Sequence, residues 1–271
     1  MFLHKYRSFR IYNQLQAKDE DIIFPPLFFL WNDVCMRSYS FVKGENLFMK
    51  VAEVKKVLIH KGVTELFHVN SVITSLTFIN NGGLLSRETV EEYNLPQTDQ
   101  PSDDIDKKFN IYNDIFFDSV DIHERAKDVN NYGVITFVYS VDVLDEVSDY
   151  DICITQENPA NWDEDIPYEK RYFPDVDSLY YGFHKGDFGN HITVRNISKP
   201  ISFQYLKKII IDNAGEDGQK YFSLAYEAIK DSIENNNINV PIEIRECPPK
   251  CKCHQKYETN IGFTYHRFKI R

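Results

Sequence analysis

The sequence predicts an α+β protein, and three observations predict it. Residues 132–144, YGVITFVYSVDVL, are β-branched or aromatic almost throughout, which is typical of a central strand. Residues 221–233 carry apolar side chains at helical spacing, which indicates an amphipathic helix. Hydrophobic residues make up 42% of the 271 positions and aromatic residues 14%, so the chain can bury a sizeable core and is not disordered as a whole.

Composition excludes several classes of protein. No run of about 18 apolar residues occurs, and the opening MFLHKYRSFRIYNQ lacks the pattern of a signal peptide. Five cysteines, an odd number, argue against a secreted disulfide framework. The formal net charge of −10 disfavours a broad, nonspecific nucleic-acid binder but leaves room for one narrow basic groove. We therefore expect a cytoplasmic protein with no membrane partner.

Three segments follow from the pattern along the chain. Residues 1–62 are interpreted as an N-terminal elaboration, residues 63–246 as the core and residues 247–271 as a C-terminal segment. The elaboration contains strand-like pieces and ends in a predicted helix, in which Val54 and Val57 share an apolar face. No residue of the elaboration points to chemistry.

The core begins with residues 66–87, LFHVNSVITSLTFINNGGLLSR, which predict a strand, a helix and a glycine corner. His68, Asn70 and Ser71 lie where the strand gives way to the next segment. Binding groups are common at such positions because a rigid scaffold presents them. The alternative is a histidine that is simply packed within the sheet. The span that follows, residues 89–108, predicts a long loop. Gln97 and Gln100 in this loop could form hydrogen bonds to a base or an amide, and solvated side chains are the favoured alternative.

Residues 109–125 carry four carboxylates at spacings of four, three and three, which share one face if the segment is a helix. Hard oxygen ligands of this kind bind divalent cations, and a solvated helix face is the alternative. The segment closes with His123 and Arg125; a guanidinium fits a phosphate through two hydrogen bonds. The four carboxylates are Asp114, Asp118, Asp121 and Glu124.

Residues 142–177 hold twelve acidic residues against two basic ones, and we interpret them as a long, mostly exposed insertion that serves as a lid. Asn190 and His191 then lie where a loop becomes a strand, and the period of two sends them to opposite faces. A second strand is predicted at residues 208–212, a turn at 215–218 and a late strand at 238–245.

The C-terminal segment combines cysteines with basic and aromatic residues. Cys247, Cys251, Cys253 and His254 are a candidate zinc-ligand set, although a single tight cluster is a weak signal and free thiols are favoured. From residue 250 onward six Lys or Arg stand against one acid, interleaved with aromatic residues. Phosphates bind cations and bases stack on aromatic rings, so this mixture suits a single-stranded nucleic acid. A strand pair with a basic edge is the alternative.

The ordered set FHVNS, GGLLSR, DIHER, apolar strand and GNHITVR resembles the ADP-ribosyltransferase fold, and within it the DarT-like toxins that modify nucleic acids. The resemblance covers about residues 64–213 and implies a split-sheet core. It implies NAD as the substrate that donates ADP-ribose, and a base of RNA or single-stranded DNA as the acceptor. It further implies a toxin of a phage-defence toxin–antitoxin system, with an antitoxin and chaperone proteins as partners.

The resemblance assigns NAD-binding roles to the first part of the core. His68, Asn70 and Ser71 match the family's histidine motif on the first strand. Gly83 and Leu85 belong to the Gly-Leu-Leu turn that follows the helix. These five residues are therefore the expected cofactor-binding set.

The resemblance also assigns catalytic residues, with one departure. Arg125 matches the arginine that positions the substrate. His191, with Asn190 beside it, stands where the family has its catalytic Glu. An imidazole or an amide can bond the same ribose hydroxyl, but neither brings the negative charge. His123 is a further candidate, as the base that deprotonates the acceptor.

Two other functions stay open at the level of sequence. The missing Glu is compatible with a catalytically inactive module of the same fold that binds NAD or nucleic acid. The four carboxylates between residues 114 and 124 are compatible with a metal-dependent nuclease.

Overall fold

The structure is a computed structural model that describes residues 49–125, 129–245, 247 and 251–271. Residues 1–48, which make up most of the predicted N-terminal elaboration, lie outside the described residues. In chain order the strands are β1 (Glu65–Asn70), β2 (Gly83–Leu84), β3 (Ile115–Phe117), β4 (Ile135–Ser140), β5 (Ile152–Ile154), β6 (Ile192–Val194), β7 (Ile201–Ser202), β8 (Leu206–Asp212) and β9 (Ile242–Arg245). The helices are α1 (Val51–His60), α2 (Val72–Asn80), α3 (Arg87–Glu92), α4 (Asp103–Lys108), α5 (Ile122–Arg125), α6 (Val143–Glu146), α7 (Val176–Gly182), α8 (Gly215–Asn235), α9 (Lys252–Thr259) and α10 (Ile261–Phe268).

The larger sheet has the strand order β1-β4-β8-β9. The β-branched and aromatic strand β4 lies between β1 and β8, antiparallel to both, and all of its residues but Ser140 are buried. This confirms the central strand that the sequence predicts. The late strand is also present, as β9, and it pairs parallel to β8.

A second sheet has the order β3-β6-β5, and β2 pairs with β7 in a separate two-stranded ladder. The two main sheets meet at one point, where Phe67 and Asp118 exchange two backbone hydrogen bonds of 2.9 Å. Beyond this bridge β1 and β3 separate. The α+β class is confirmed, and the core is split into two sheets.

Helices cover the larger sheet because their apolar stripes match its buried face. In α8 the side chains of Phe222, Ala225 and Ile229 recur at helical spacing and are buried. Residues 215–218, predicted as a turn, are instead the first turn of α8. The predicted helix before the core is also present, as α1, with Val54 and Val57 buried.

The C-terminal segment is helical, so the alternative of a basic strand pair is wrong. Tyr257 in α9 and Phe268 in α10 are buried, with ring centroids 5.5 Å apart, and Phe268 lies 6.4 Å from Phe222 of α8. These aromatic rings belong to the core and are not free to stack with bases. The helical spacing of the apolar residues decided this, since it allows α9 and α10 to pack against α8.

The acidic segment 142–177 is not the mostly exposed lid that its charge predicts. It supplies β5, whose three residues are all buried, and it supplies Trp162 and Tyr172 to a small core cluster with Phe109. Its carboxylates lie between apolar residues that point inward. Charge counts therefore describe the outer face of this segment and say little about its packing.

Within the described residues, no helix combines the length and the apolar character that spanning a bilayer requires.

Gly83 is required by packing. A Cβ atom at Gly83 would lie 2.2 Å from the carbonyl oxygen of Ile201 on β7. We expect Gly83→Ala to lower the free energy of unfolding by about 1–3 kcal/mol, because the backbone of β2 and β7 must move apart. Urea denaturation measures the change. Gly262→Ala is the control, since the nearest atom to its new Cβ is 3.5 Å away; equal stability of the two variants would contradict the packing argument.

Candidate active site

A cleft opens where the two sheets separate, next to the bridge between Phe67 and Asp118. It encloses about 1020 Å³ of space, counting the part that is open to solvent. His68, Arg125 and His191, which lie far apart in the sequence, all line it. Six further lining residues are aromatic: Phe67, Phe78, Phe116, Phe117, Tyr132 and Phe188.

His68 is held in one tautomer. Its Nδ1 lies 2.9 Å from the carbonyl oxygen of Phe116, which can only accept, so Nδ1 carries the proton and donates it. Burial lowers the pKa of His68, so the ring is neutral at physiological pH. Its Nε2 is buried and has no hydrogen-bond partner within the described part of the chain. An unused acceptor is therefore present in the wall of the cleft.

Asp118, Arg125 and His191 form one hydrogen-bonded group, the Asp118 cluster. Asp118 Oδ1 lies 3.0 Å from Nδ1 of His191 and also accepts a hydrogen bond from Nη2 of Arg125. Burial on its own would raise the pKa of Asp118, but the hydrogen bond from His191 and the charge and hydrogen bond of Arg125 outweigh it. The pKa of Asp118 consequently lies below its ordinary value, and the carboxylate is ionised. The sequence pointed to Asp118 as a metal ligand, not as a partner of these two side chains.

Arg125 is oriented from two further sides. Its Nη1 donates to the carbonyl oxygen of Asp187 at 2.9 Å, and its guanidinium carbon lies 4.9 Å from the ring centroid of Phe188. Its Nε is buried and has no hydrogen-bond partner within the described residues. A donor on a fixed cation is thus available at the same cleft as the acceptor of His68.

The second nitrogen of His191 is an acceptor. Asn158 Nδ2 lies 3.1 Å from His191 Nε2, and Asn158 Oδ1 accepts a hydrogen bond from the backbone of Ala160. Because the amide oxygen is turned toward Ala160, the amide nitrogen faces the imidazole and donates to it. The proton of His191 therefore lies on Nδ1, next to Asp118.

The first turn after β1 is built by Asn70 and Ser71. Asn70 lines the cleft, and its Oδ1 accepts from the backbone N–H of Ser71 at 3.0 Å and from Gln100 Nε2 at 3.2 Å. Ser71 caps α2 by accepting from the backbone of Thr74, so its role is structural. Gln100 belongs to the loop that the sequence left in solvent, yet it reaches the cleft.

Of the two remaining residues predicted to bind NAD, one lines the cleft and the other does not. Leu85 lines the cleft, whereas Gly83 lies in β2 against β7 and does not line it. Asn158, Phe188 and Asp118 are site residues that the sequence did not identify as a group. Each reaches the cleft through a loop or a strand end, where no periodic pattern marks it.

Two predicted catalytic residues are not among the residues that line the cleft. Asn190 Oδ1 accepts from the backbone of His184 and its Nδ2 donates to the carbonyl oxygen of Thr155, both at 3.0 Å, so it fixes the loop before β6. His123 is buried against Asp212 and the cysteines of the C-terminal segment. Neither residue is placed to act on a ligand in the cleft, and those two assignments are corrected.

The predicted acidic helix face does not exist, because residues 115–117 form β3 and a helix begins only at Ile122. Asp114 is paired with Arg195 at 2.5 Å, Asp121 with Arg245, and Glu124 is exposed. The four carboxylates are thus separated and three of them are matched by cations. A metal-dependent nuclease would need these four carboxylates to converge on one ion, so that hypothesis does not apply to this site.

The predicted zinc set is corrected at one position. His254 is half-buried and its Nε2 lies 3.1 Å from Glu258 on the same helix, outside the group of thiols and His123. The histidine that lies beside Cys247 and Cys251 is His123.

Asp118 is expected to make stability depend on pH. Its ionised form is favoured by folding, so its contribution is complete above the unfolded pKa of about 3.9 and is lost as pH falls through the lower folded pKa. Asp118→Asn should cost about 2 kcal/mol at pH 7, and the difference from the parent protein should shrink toward pH 3. Chemical denaturation at the two pH values measures it. A cost that is the same at both values would show that the carboxylate charge is not what stabilises the cluster.

Comparisons with known proteins find distant structural similarity. No protein-family model and no curated protein matches the chain. Among solved structures, that of Thermus sp. 2.9 DarT in complex with ADP-ribosylated ssDNA is similar to this chain, with a TM-score of 0.44 and 10% identity, over 68% of this chain and 95% of that chain. DarT is the family whose motifs the sequence resembles. At this TM-score and identity the likeness does not decide the function, which has to come from the residues of the cleft.

Proposed function

We propose that the protein is an NAD-dependent ADP-ribosyltransferase that transfers ADP-ribose to a base of a single-stranded nucleic acid, RNA or DNA. One observation carries the proposal: a buried acceptor, His68 Nε2, and a buried donor, Arg125 Nε, are both unused in side chains that line one aromatic cleft. Buried polar atoms are normally paired, so their lack of partners is accounted for by a ligand. A dinucleotide has the hydroxyl donors, the anionic groups and the flat rings that match them.

Each side chain then has a role in binding NAD. His68 Nε2 accepts a hydrogen bond from a ribose hydroxyl, because a neutral ring with its proton on Nδ1 has no donor to offer a phosphate there. Asn70 offers amide hydrogens to the carboxamide or a ribose. Arg125 binds a phosphate oxygen through Nε. The aromatic walls hold the flat rings of the dinucleotide.

The reaction breaks the bond between C1′ of the ribose and the nicotinamide nitrogen. The electron pair leaves with nicotinamide, which departs neutral, and positive charge develops on the ribose. A ring or exocyclic atom of the acceptor base then forms the new bond to C1′ and releases its proton to solvent. Since the leaving group needs no protonation, placement and electrostatics supply most of the acceleration.

The Asp118 cluster can supply the negative charge that the family's Glu would supply. His191 Nε2 can accept a hydrogen bond from the ribose 2′-hydroxyl in exchange for that of Asn158, while His191 Nδ1 donates to the ionised Asp118. The carboxylate orients the imidazole and increases its strength as an acceptor, as carboxylates do in other histidine pairs. Negative charge is thus present one side chain behind the position that the Glu would occupy.

The acceptor base has to leave its stack to reach C1′, which favours single strands. Modification of nucleic acid is damaging to the cell that makes the enzyme. A toxin of a phage-defence system, restrained by an antitoxin and chaperone proteins, is the biological role that fits such chemistry.

A module that binds NAD or nucleic acid without transfer is the second candidate. The observation that favours it is the pairing of Asp118 with Arg125, which offsets the charge that the reaction needs. A module that binds NAD predicts stabilisation by NAD, as the transferase does, and differs from it in transfer.

The test is incubation with labelled NAD and either single-stranded DNA or RNA, with thermal stabilisation by NAD as the binding readout. We expect label on the nucleic acid, and a loss of at least about 100-fold in transfer for His191→Ala and for Arg125→Ala. His184→Ala is the matched control, since His184 is an exposed histidine of the same loop and does not line the cleft.

Stabilisation by NAD without label would establish the binding module. Full transfer by both cleft variants would show that the site is elsewhere.

Asp106 is expected to make NAD binding depend on pH. Burial, aided by the charge of Asp103, raises the pKa of Asp106 to about 6, and Asp106 lines the cleft. Above pH 6 its negative charge opposes the diphosphate, and below pH 6 it is neutral. The dissociation constant of NAD should therefore fall severalfold between pH 7.5 and pH 5.5, as measured by calorimetry. Asp106→Asn should remove this dependence and Asp104→Asn, an exposed change on the same helix, should retain it; an unchanged dependence in Asp106→Asn would assign it to another group.

A further inference from the structure

Three thiols and one imidazole meet at the junction between α5 and the C-terminal segment. His123 Nδ1 lies 3.4 Å from Cys251 Sγ and 3.5 Å from Cys247 Sγ. The ligand atoms of His123, Cys251 and Cys253 all lie within 4.8 Å of one another. The cysteines are free and form no disulfide. His123 comes from a position more than a hundred residues earlier in the chain, so the cluster is a product of the fold.

The two nitrogen-to-sulfur distances match one tetrahedral metal ion. With bonds of about 2.3 Å to sulfur and about 2.0–2.1 Å to nitrogen, tetrahedral angles place the nitrogen and a sulfur about 3.6 Å apart. The two observed distances from His123 Nδ1 agree with this value. Thiolates select soft or borderline ions such as zinc over magnesium or calcium.

The surroundings of the cluster are those of a metal-binding histidine. The Nε2 of His123, on the side away from the thiols, lies 3.4 Å from Oδ2 of Asp212. Asp212 is fully buried and is held by Arg245 and by the hydroxyl of Tyr257, each at 2.9 Å. With this carboxylate on the Nε2 side of the ring, Nδ1 is the nitrogen that faces the thiols.

One of the thiols accepts a hydrogen bond from the backbone. The backbone N–H of Asn130 donates to Cys253 Sγ at 3.1 Å. Such a hydrogen bond stabilises a thiolate, the form in which cysteine binds metal. Asp212 together with Cys247 and His123 also lies within ligand distance, but its oxygens are already bonded to Arg245 and Tyr257. This makes Asp212 an outer partner and leaves three sulfurs and one nitrogen as the ligands.

We propose that Cys247, Cys251, Cys253 and His123 bind one structural zinc ion. Four protein ligands complete a tetrahedral site and leave no position for water, which is the arrangement of structural and not of catalytic zinc. The ion ties the start of α9 to α5. Because Arg125 lies on α5 two residues after His123, the same ion fixes the helix that carries Arg125 into the cleft.

The test is the metal content of the full chain, purified without chelators and measured by inductively coupled plasma mass spectrometry. We expect one zinc per chain, and a loss of most of it in Cys251→Ser and in His123→Gln. His254→Gln is the matched control and should keep one zinc, since His254 is the neighbouring histidine that lies outside the cluster. Cobalt in place of zinc should show intense visible bands and a sulfur-to-cobalt charge-transfer band, the signature of a tetrahedral thiolate site.

None of these readouts depends on enzyme activity, so the zinc site and the proposed transfer reaction can fail separately. Should the cysteine variant not fold, the parent chain still decides through its zinc content and through a chelator, which should lower its melting temperature until zinc is returned. A folded parent chain with no zinc, a chain that holds iron and sulfide instead, or equal loss of zinc in His254→Gln would each overturn the proposal.

Discussion

Asp118 joins the two sheets through its backbone and holds the two polar side chains of the cleft through its carboxylate. The two hydrogen bonds that it exchanges with Phe67 are the point where β1 and β3 still touch before they separate. Beyond this bridge the two strands are no longer paired with each other, and the space between the sheets becomes the cleft. Because Arg125 and His191 are both bonded to this carboxylate, the geometry of the site depends on the same residue that joins the two sheets.

Three carboxylates of the protein are each paired with an arginine. Asp114 is matched by Arg195, Asp118 by Arg125, and Asp212 by Arg245. Removing one partner of a fully buried ion pair costs about 3–5 kcal/mol, because the charge that remains has lost its water and gains nothing in return, and the cost is smaller at Asp118, whose side chain is partly exposed. These acidic residues therefore stabilise the fold through ion pairs. Their number says little about whether the protein binds a metal ion or a nucleic acid.

In the proposed transferase, His191 with Asp118 behind it takes the place of the single carboxylate that the sequence resemblance leads us to expect. A carboxylate directly at the ribose and a carboxylate one imidazole away differ in distance, and the second is weaker because it is also shared with Arg125. Low dielectric inside the cleft partly compensates, since fixed charges act more strongly where water is excluded. Catalysis by such a pair depends on its orientation, which Asn158 and Asp118 set from opposite sides of the ring.

Helices and strands that are marked by a local pattern of residues could be predicted from the sequence. The β-branched run of β4, the strand and helix that end at the glycine corner, and the amphipathic stripe of α8 are periodic patterns within a few turns or residues, and they fold as their periods indicate. Tertiary structure alone decided which side chains meet. The carboxylate spacing of residues 114–124 fits a helix, yet the middle of this segment pairs with β6 and forms strand β3. The thiols lie next to His254 in the chain and next to His123 in space, because contacts between residues more than a hundred positions apart leave no mark on local spacing.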